Sequence, residues 1–277
     1  MSFVVPSRIA NRRVLLSLVF WVAVLLAGVA IYVASDRLQD ASTEHDSLAG
    51  LPAGAKYLAG YGPNRYSQFA EEWIIRDFFH DRRGGTFVDV GSYDYRRFSN
   101  TYYLDQTLGW TGVAVDAQEE FAADYAKYRP RTKFFSYFVS DRSEAVESLF
   151  VPTLNNLVAS SNKDFAERDE FAGRERKVHT ITLNDLLGRA GVTKIDFMSM
   201  DIELAEPKAL AGFDINRFAP RLVVVEAHPE VRQQLLDYFE QHHYRVVGRY
   251  LRADPDNLWF APSDTMMPGG VDAGTDK

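Results

Sequence analysis

Residues 86–91 read Thr-Phe-Val-Asp-Val-Gly and residues 112–116 read Gly-Val-Ala-Val-Asp. Both are short β-branched runs, and each stops at a glycine or an acid. Asp116 lies 25 positions after Gly91, which leaves room for one crossover helix between two parallel strands. In such a unit the glycine at the first strand tip lets backbone approach a ligand, and the carboxylate at the second tip accepts hydrogen bonds from ribose hydroxyls. The pair therefore predicts a nucleotide-type cofactor at the ends of parallel strands. A nicotinamide fingerprint is excluded, because Gly91-Ser-Tyr-Asp-Tyr-Arg lacks the second and third glycines of G-x-G-x-x-G.

The pattern of alternating segments extends outward from these strands. Phe69, Trp73, Ile74 and Phe78 share a helix face leading into the first strand. A helix is expected over 99–108, a second helix over 119–128 and a third strand over 133–139. Two added strands, 148–152 and 177–181, flank a polar stretch over 155–176 that suits a solvated loop or a lid over an acceptor. Thr182 caps a helix over 183–190. A fourth strand over 195–200 ends in Asp201-Ile202-Glu203, and a fifth over 222–226 is followed by a helix over 230–242. Residues 244–251 and 258–261 suggest a closing antiparallel pair. Alternating strands and helices predict a mostly parallel, doubly wound α/β sheet, whose ligands bind beyond the carboxyl ends of the strands. The expected tips are Gly91, Asp116, Asp141, Asp201 and Glu226 with His228.

Composition narrows the class. The chain has 277 residues, 46% hydrophobic and 25% charged, with a net charge of −7, which suits one globular domain rather than a nucleic-acid binder. With no cysteine, thiolate metal sites and disulfides are excluded. Residues 14–34 form 21 uncharged, largely apolar positions, about 31 Å as a helix, which matches a bilayer core. Arg8, Arg12 and Arg13 precede this run, and Asp36, Asp40, Glu44 and Asp46 follow it. A transmembrane helix is expected with residues 1–13 cytoplasmic. A signal peptide cut after Ser35 is the alternative. Residues 35–65 read as a tether and lead-in, 66–262 as the folded domain, and 263–277 as a tail without periodicity.

Several segments in combination resemble the FkbM family of S-adenosylmethionine-dependent methyltransferases: YSQFAEEW at 66–73, FVDVGSYDYRRFSNTYYLDQTLGWTGVAVDA at 87–117, TITLNDLL at 180–187, IDFMSMDIELAEPKALAGFD at 195–214 and LVVVEAH at 222–228. The resemblance implies a seven-stranded Rossmann-like methyltransferase sheet, S-adenosylmethionine as cofactor, and methylation of a hydroxyl on a small molecule or glycan acceptor. By position it makes Asp89, Gly91, Ser92, Asp116 and Asp141 the cofactor-binding candidates. Asp89 and Gly91 would shape the loop at the methionine part, Asp116 would hold the ribose, and Asp141 would sit beside the adenine. Asp201 and Glu203 would border the point of methyl delivery, with His228 close by, and these three are the catalytic candidates. Salt bridges from Asp201 and Glu203 to Lys208 or Arg221 are the plainer alternative. Carboxylate and imidazole also suit a divalent metal, but no recognisable ligand spacing supports one, and none is expected.

Two positions depart from the family pattern. Tyr95 stands where the first loop usually carries a glycine, and Leu204 stands where Asp-x-Glu-Gly usually ends. A bulky residue at a left-handed position costs about 1–2 kcal/mol. These departures leave a non-catalytic binding or scaffold protein on a methyltransferase-like fold as the second reading, with Tyr93 or Tyr95 filling the pocket. The positive-inside orientation places the domain across the membrane from the compartment where S-adenosylmethionine is made, so the side it occupies stays open.

Overall fold

The computed structural model describes residues 52–63, 66–153, 156–166 and 173–264. Three strands alternate with helices and two more strands follow: α1 (Glu71–Phe79), β1 (Thr86–Val90), α2 (Tyr102–Gln106), β2 (Thr111–Asp116), α3 (Ala122–Tyr128), β3 (Thr132–Ser136), β4 (Phe138–Val139) and β5 (Val146–Pro152). There follow α4 (Lys163–Ala166), β6 (Gly173–Ile181), α5 (Leu183–Ala190), β7 (Phe197–Met200), α6 (Glu206–Ala211), α7 (Ile215–Phe218), β8 (Leu222–Glu226), α8 (Arg232–Gln241), β9 (Tyr244–Val246) and β10 (Asn257–Pro262).

Seven strands form the main sheet in the order β3-β2-β1-β7-β8-β10-β9. All neighbours are parallel up to β8, and β10 then runs antiparallel between β8 and β9. The order reverses between β1 and β7, and ligands bind at such a switch point. The expected closing pair is present, with β10 inserted beside β8. A three-stranded sheet, β4-β6-β5, stands apart from the main one.

The period-2 alternation of strand residues explains the two cores. Val88, Val90, Met198, Met200, Val223 and Val225 pack on one face, and Phe87, Phe197, Leu222 and Val224 pack on the other. The second face also carries Asp89 and Ser199, cross-strand partners in β1 and β7. Its apolar cover comes from α1 and from a 3-10 helix, Ala53–Tyr61, whose Leu58 is fully buried. The fold therefore begins inside the segment expected as tether and lead-in.

Several expected elements are shorter. The helix over 99–108 reduces to α2, because Ser99 Oγ accepts from the Thr101 and Tyr102 backbone N–H groups and holds the preceding turn. The helix over 119–128 starts as a 3-10 turn, Glu119–Phe121. The third strand breaks at Tyr137, whose N–H donates to the Asp116 carbonyl at 3.1 Å, so that 138–139 pairs with β6 instead. Among the described residues no helix is long and apolar enough to cross a membrane. The expected span over 14–34 and most of the expected tail lie outside the described residues.

Candidate active site

At the switch point the β1 and β7 tips touch. The Gly91 N–H donates to the Val115 carbonyl at 2.9 Å, and the Asp201 N–H donates to the Val90 carbonyl at 2.9 Å. Gly91 has φ +78°, and a Cβ there would lie 1.7 Å from the Asp201 carbonyl oxygen. Only glycine satisfies both constraints. Beyond these tips lies a cleft lined among others by Gly91, Tyr93, Asp116, Gln118, Asp201 and Glu203.

Asp116 ends β2 and faces the cleft. Its Oδ2 accepts from the Tyr93 N–H at 2.9 Å and its Oδ1 from the Gln118 N–H at 2.8 Å. Each oxygen keeps a second lone pair, which suits it to accept from a vicinal diol. Burial pushes its pKa up to about 6, which leaves it ionised at neutral pH. Val115, Phe138, Val139 and Leu149 give the cleft an apolar wall beside it. Ser92 Oγ and Asn100 Oδ1 are buried without a hydrogen-bond partner among the described residues. The Asp116 carboxylate, the Gly91 backbone and an apolar wall line the cleft and fit an adenosyl cofactor, whereas Ser92 is buried and is not among the residues that line it.

Two expected cofactor residues sit elsewhere. Asp141 is exposed in the turn after β4, where its carboxylate accepts from Ser140 Oγ at 3.1 Å and lies 3.7 Å from Arg142. The break at Tyr137 carries it out of the row of tips. Asp89 is buried beneath the cleft, accepting from Thr101 Oγ1 at 2.6 Å. It holds the 99–101 turn rather than facing the cleft. Tyr95 stacks on Tyr128 at 4.6 Å, away from the lining residues. Tyr93 stands on the cleft wall, its ring edge-on to Phe121.

The catalytic candidates come together from β7 and β8. After Met200 the chain turns sharply through Glu203 (φ 54°) and Leu204 (φ 77°). Asp201 and Glu203 therefore meet through a loop, not through strand alternation. His228 Nε2 lies 3.2 Å from Glu203 Oε2 and 3.0 Å from Glu226 Oε2. Asp201 is open to the cleft yet crowded by protein. Burial, then the charges of Glu226 and Glu203, raise its pKa well above the carboxylate range. Burial and Glu226 raise Glu203 to about 8, and the bond to Glu226 raises His228 to about 9. The basic residues that could have paired here are engaged elsewhere: Lys208 with Glu147 at 2.6 Å and Arg221 with Asp196 at 3.5 Å.

Part of the 155–176 stretch covers this end. Tyr93 Oη donates to Asn156 Oδ1 at 3.3 Å and Gln118 Nε2 to the Asn156 carbonyl at 3.0 Å. Ser160 Oγ donates to the Glu203 carbonyl at 2.6 Å, and the Phe165 ring meets His228 edge-on at 4.9 Å. The sequence reading missed Glu206. It is fully buried on α6 and its Oε1 accepts from the Ile202 N–H at 3.0 Å. Its only sequence signal is an acid beside a proline at a helix start.

No curated protein matches the chain. A solved structure of a candidate RNA methyltransferase from Pyrococcus horikoshii aligns with 13% identity and a TM-score of 0.36, covering 72% of this chain and 88% of that one. The profile described as the methyltransferase FkbM domain matches residues 89–246, from the first strand through β9. That span contains Gly91, Asp116, the turn after β7 and His228, and the chain thus belongs to the FkbM methyltransferase family.

Proposed function

We propose that the protein is an S-adenosylmethionine-dependent O-methyltransferase, acting on a hydroxyl of a sugar, glycan or natural product and tethered to a membrane through residues 14–34. The observation that carries this reading is one cleft lined by Asp116 and by Asp201 and Glu203, with His228 beside Glu203. The cofactor supplies an electrophilic methyl on a sulfonium. Gly91 and Asp116 hold the adenosyl part, and the segment with Asn156 and Phe165 excludes water. Alignment of acceptor and methyl is the main demand on the protein. Accepting the hydroxyl proton falls to Asp201, with Glu203 and His228 beside it. Asp201 and Glu203 both line the cleft, the side from which an acceptor hydroxyl would approach.

Calorimetry on the purified full-length protein tests the reading. S-adenosylmethionine is expected to bind in the micromolar range, and Asp116→Ala is expected to weaken it at least about tenfold, or about 1.4 kcal/mol. Folded wild-type protein that gives no heat sinks the reading and leaves a non-catalytic binding protein on this fold.

A further inference from the structure

We propose that Glu203, Glu226 and His228 form a divalent-cation site at the acceptor end of the cleft. The sequence offers no ligand spacing for one, because the three come from a turn after β7 and from the end of β8. The fold places one oxygen of each glutamate and an imidazole nitrogen within 4.8 Å of one another.

Nitrogen–oxygen distances of this size suit a hydrogen bond and neighbouring ligands of one ion alike. Nε2 of His228 stands 3.2 Å from Glu203 Oε2 and 3.0 Å from Glu226 Oε2. Neighbouring octahedral ligands at about 2.1 Å from an ion lie about 3.0 Å apart. A single N–H points at one acceptor only, so one His228 nitrogen cannot serve both carboxylate oxygens at once. A cation between the three atoms satisfies both oxygens and the nitrogen lone pair together.

Glu206 supplies an independent observation. It is 0% exposed, and its Oε2 has no partner among the described residues. Its carboxyl sits in the field of both Glu226 and His228. Buried oxygens left unpaired are rare in native proteins, and a water bound to the ion gives this one a partner. The charge count points the same way: Asp201, Glu203, Glu206 and Glu226 set four carboxyls against one imidazole, while Lys208 is taken by Glu147. Phe165 and Ser160 close one side of the cluster. Asp201 and the cleft leave the other side open, as a metal site that receives a substrate oxygen requires. Two carboxylates with one imidazole, and no thiolate, suit a first-row ion such as Mn²⁺. Cation binding stands independently of methyl transfer. Its use, polarising the acceptor hydroxyl, rests on the function proposed above.

Mn²⁺ titrated into the full-length protein, with free ion followed by electron paramagnetic resonance, tests the site. The expected result is one ion per chain in the micromolar range. Binding should weaken at least about tenfold in Glu226→Gln and in His228→Ala, and stay unchanged in Asp141→Asn. Circular dichroism reports whether each variant is folded. Wild-type protein that leaves all Mn²⁺ free overturns the proposal, as does binding indifferent to both substitutions. If both variants unfold, the wild-type imidazole resonances decide. Mn²⁺ should broaden His228 selectively, and an unaltered His228 signal overturns the site. The readout is the ion itself, so failure of cofactor binding in calorimetry leaves this result standing, and the reverse holds too.

Discussion

Leu204 occupies the left-handed region with φ 77°, directly after Glu203 at φ 54°. Its side chain is half-buried against the core of the first sheet face. The chain thus keeps a turn that glycine takes without strain, and it bears about 1–2 kcal/mol to do so. Leu204→Gly is therefore expected to be more stable than Leu204→Ala by about 1 kcal/mol, the reverse of the usual order. Urea denaturation of the two variants decides it, and an alanine variant that proves the more stable removes the strain argument. Gly91 and Asp116 were legible because a strand tip leaves a local mark, a β-branched run ending in a small or acidic residue. Asp141 was misread because nothing local announces that the third strand breaks at Tyr137. Glu206 was invisible because its importance lies in what the β8 end brings beside it.

The turn between β1 and α2 owes its shape to Arg129, just beyond α3. The guanidinium is fully buried and donates to Asp105 Oδ2 at 3.1 Å, to the Tyr95 carbonyl and to the Thr101 carbonyl. Thr101 in turn donates to Asp89. One cation thereby ties the cofactor loop, α2 and β1 together. Arg129→Met is expected to cost about 3–5 kcal/mol, because it leaves Asp105 buried with its charge poorly matched. Chemical denaturation measures this, and a loss under about 1 kcal/mol would show that Arg131 and Thr132 suffice for Asp105. The strands carried a period-2 signal and were placed well. The short helices were not, since the Ser99 hydroxyl caps the turn before α2 and Arg129 fixes that turn from a position remote in sequence.

On the sheet face covered by the N-terminal lead-in and α1, Glu71 at the start of α1 and Asp254 before β10 form a buried acid pair. Glu71 accepts from the Phe69 N–H at 2.7 Å, and burial followed by the Asp254 charge raises its pKa to about 8. Burial raises Asp254 to about 6. An acid whose folded pKa exceeds its unfolded value of 4.5 binds its proton more tightly when folded. Its contribution is complete below pH 4.5 and is lost as pH rises toward about 8. Thermal midpoints are expected to fall between pH 5 and 8, and Glu71→Gln is expected to flatten that slope. A variant slope equal to the wild type would contradict the assignment. The α/β class and the mostly parallel sheet were legible from alternation, and the count of seven strands from the family resemblance. The insertion of β10 between β8 and β9 was not, because pairing between distant strands leaves no periodic trace.

The 1.7 Å approach that any Cβ on Gly91 would make to the Asp201 carbonyl sets a rule for building chimaeras from this scaffold. The loop after β1 and the loop after β7 are a matched pair, cut to each other's backbone. A transplant that brings one donor loop without its mate will misfit, whereas exchanging both together preserves the seam and allows acceptor preference to be redesigned as a cassette.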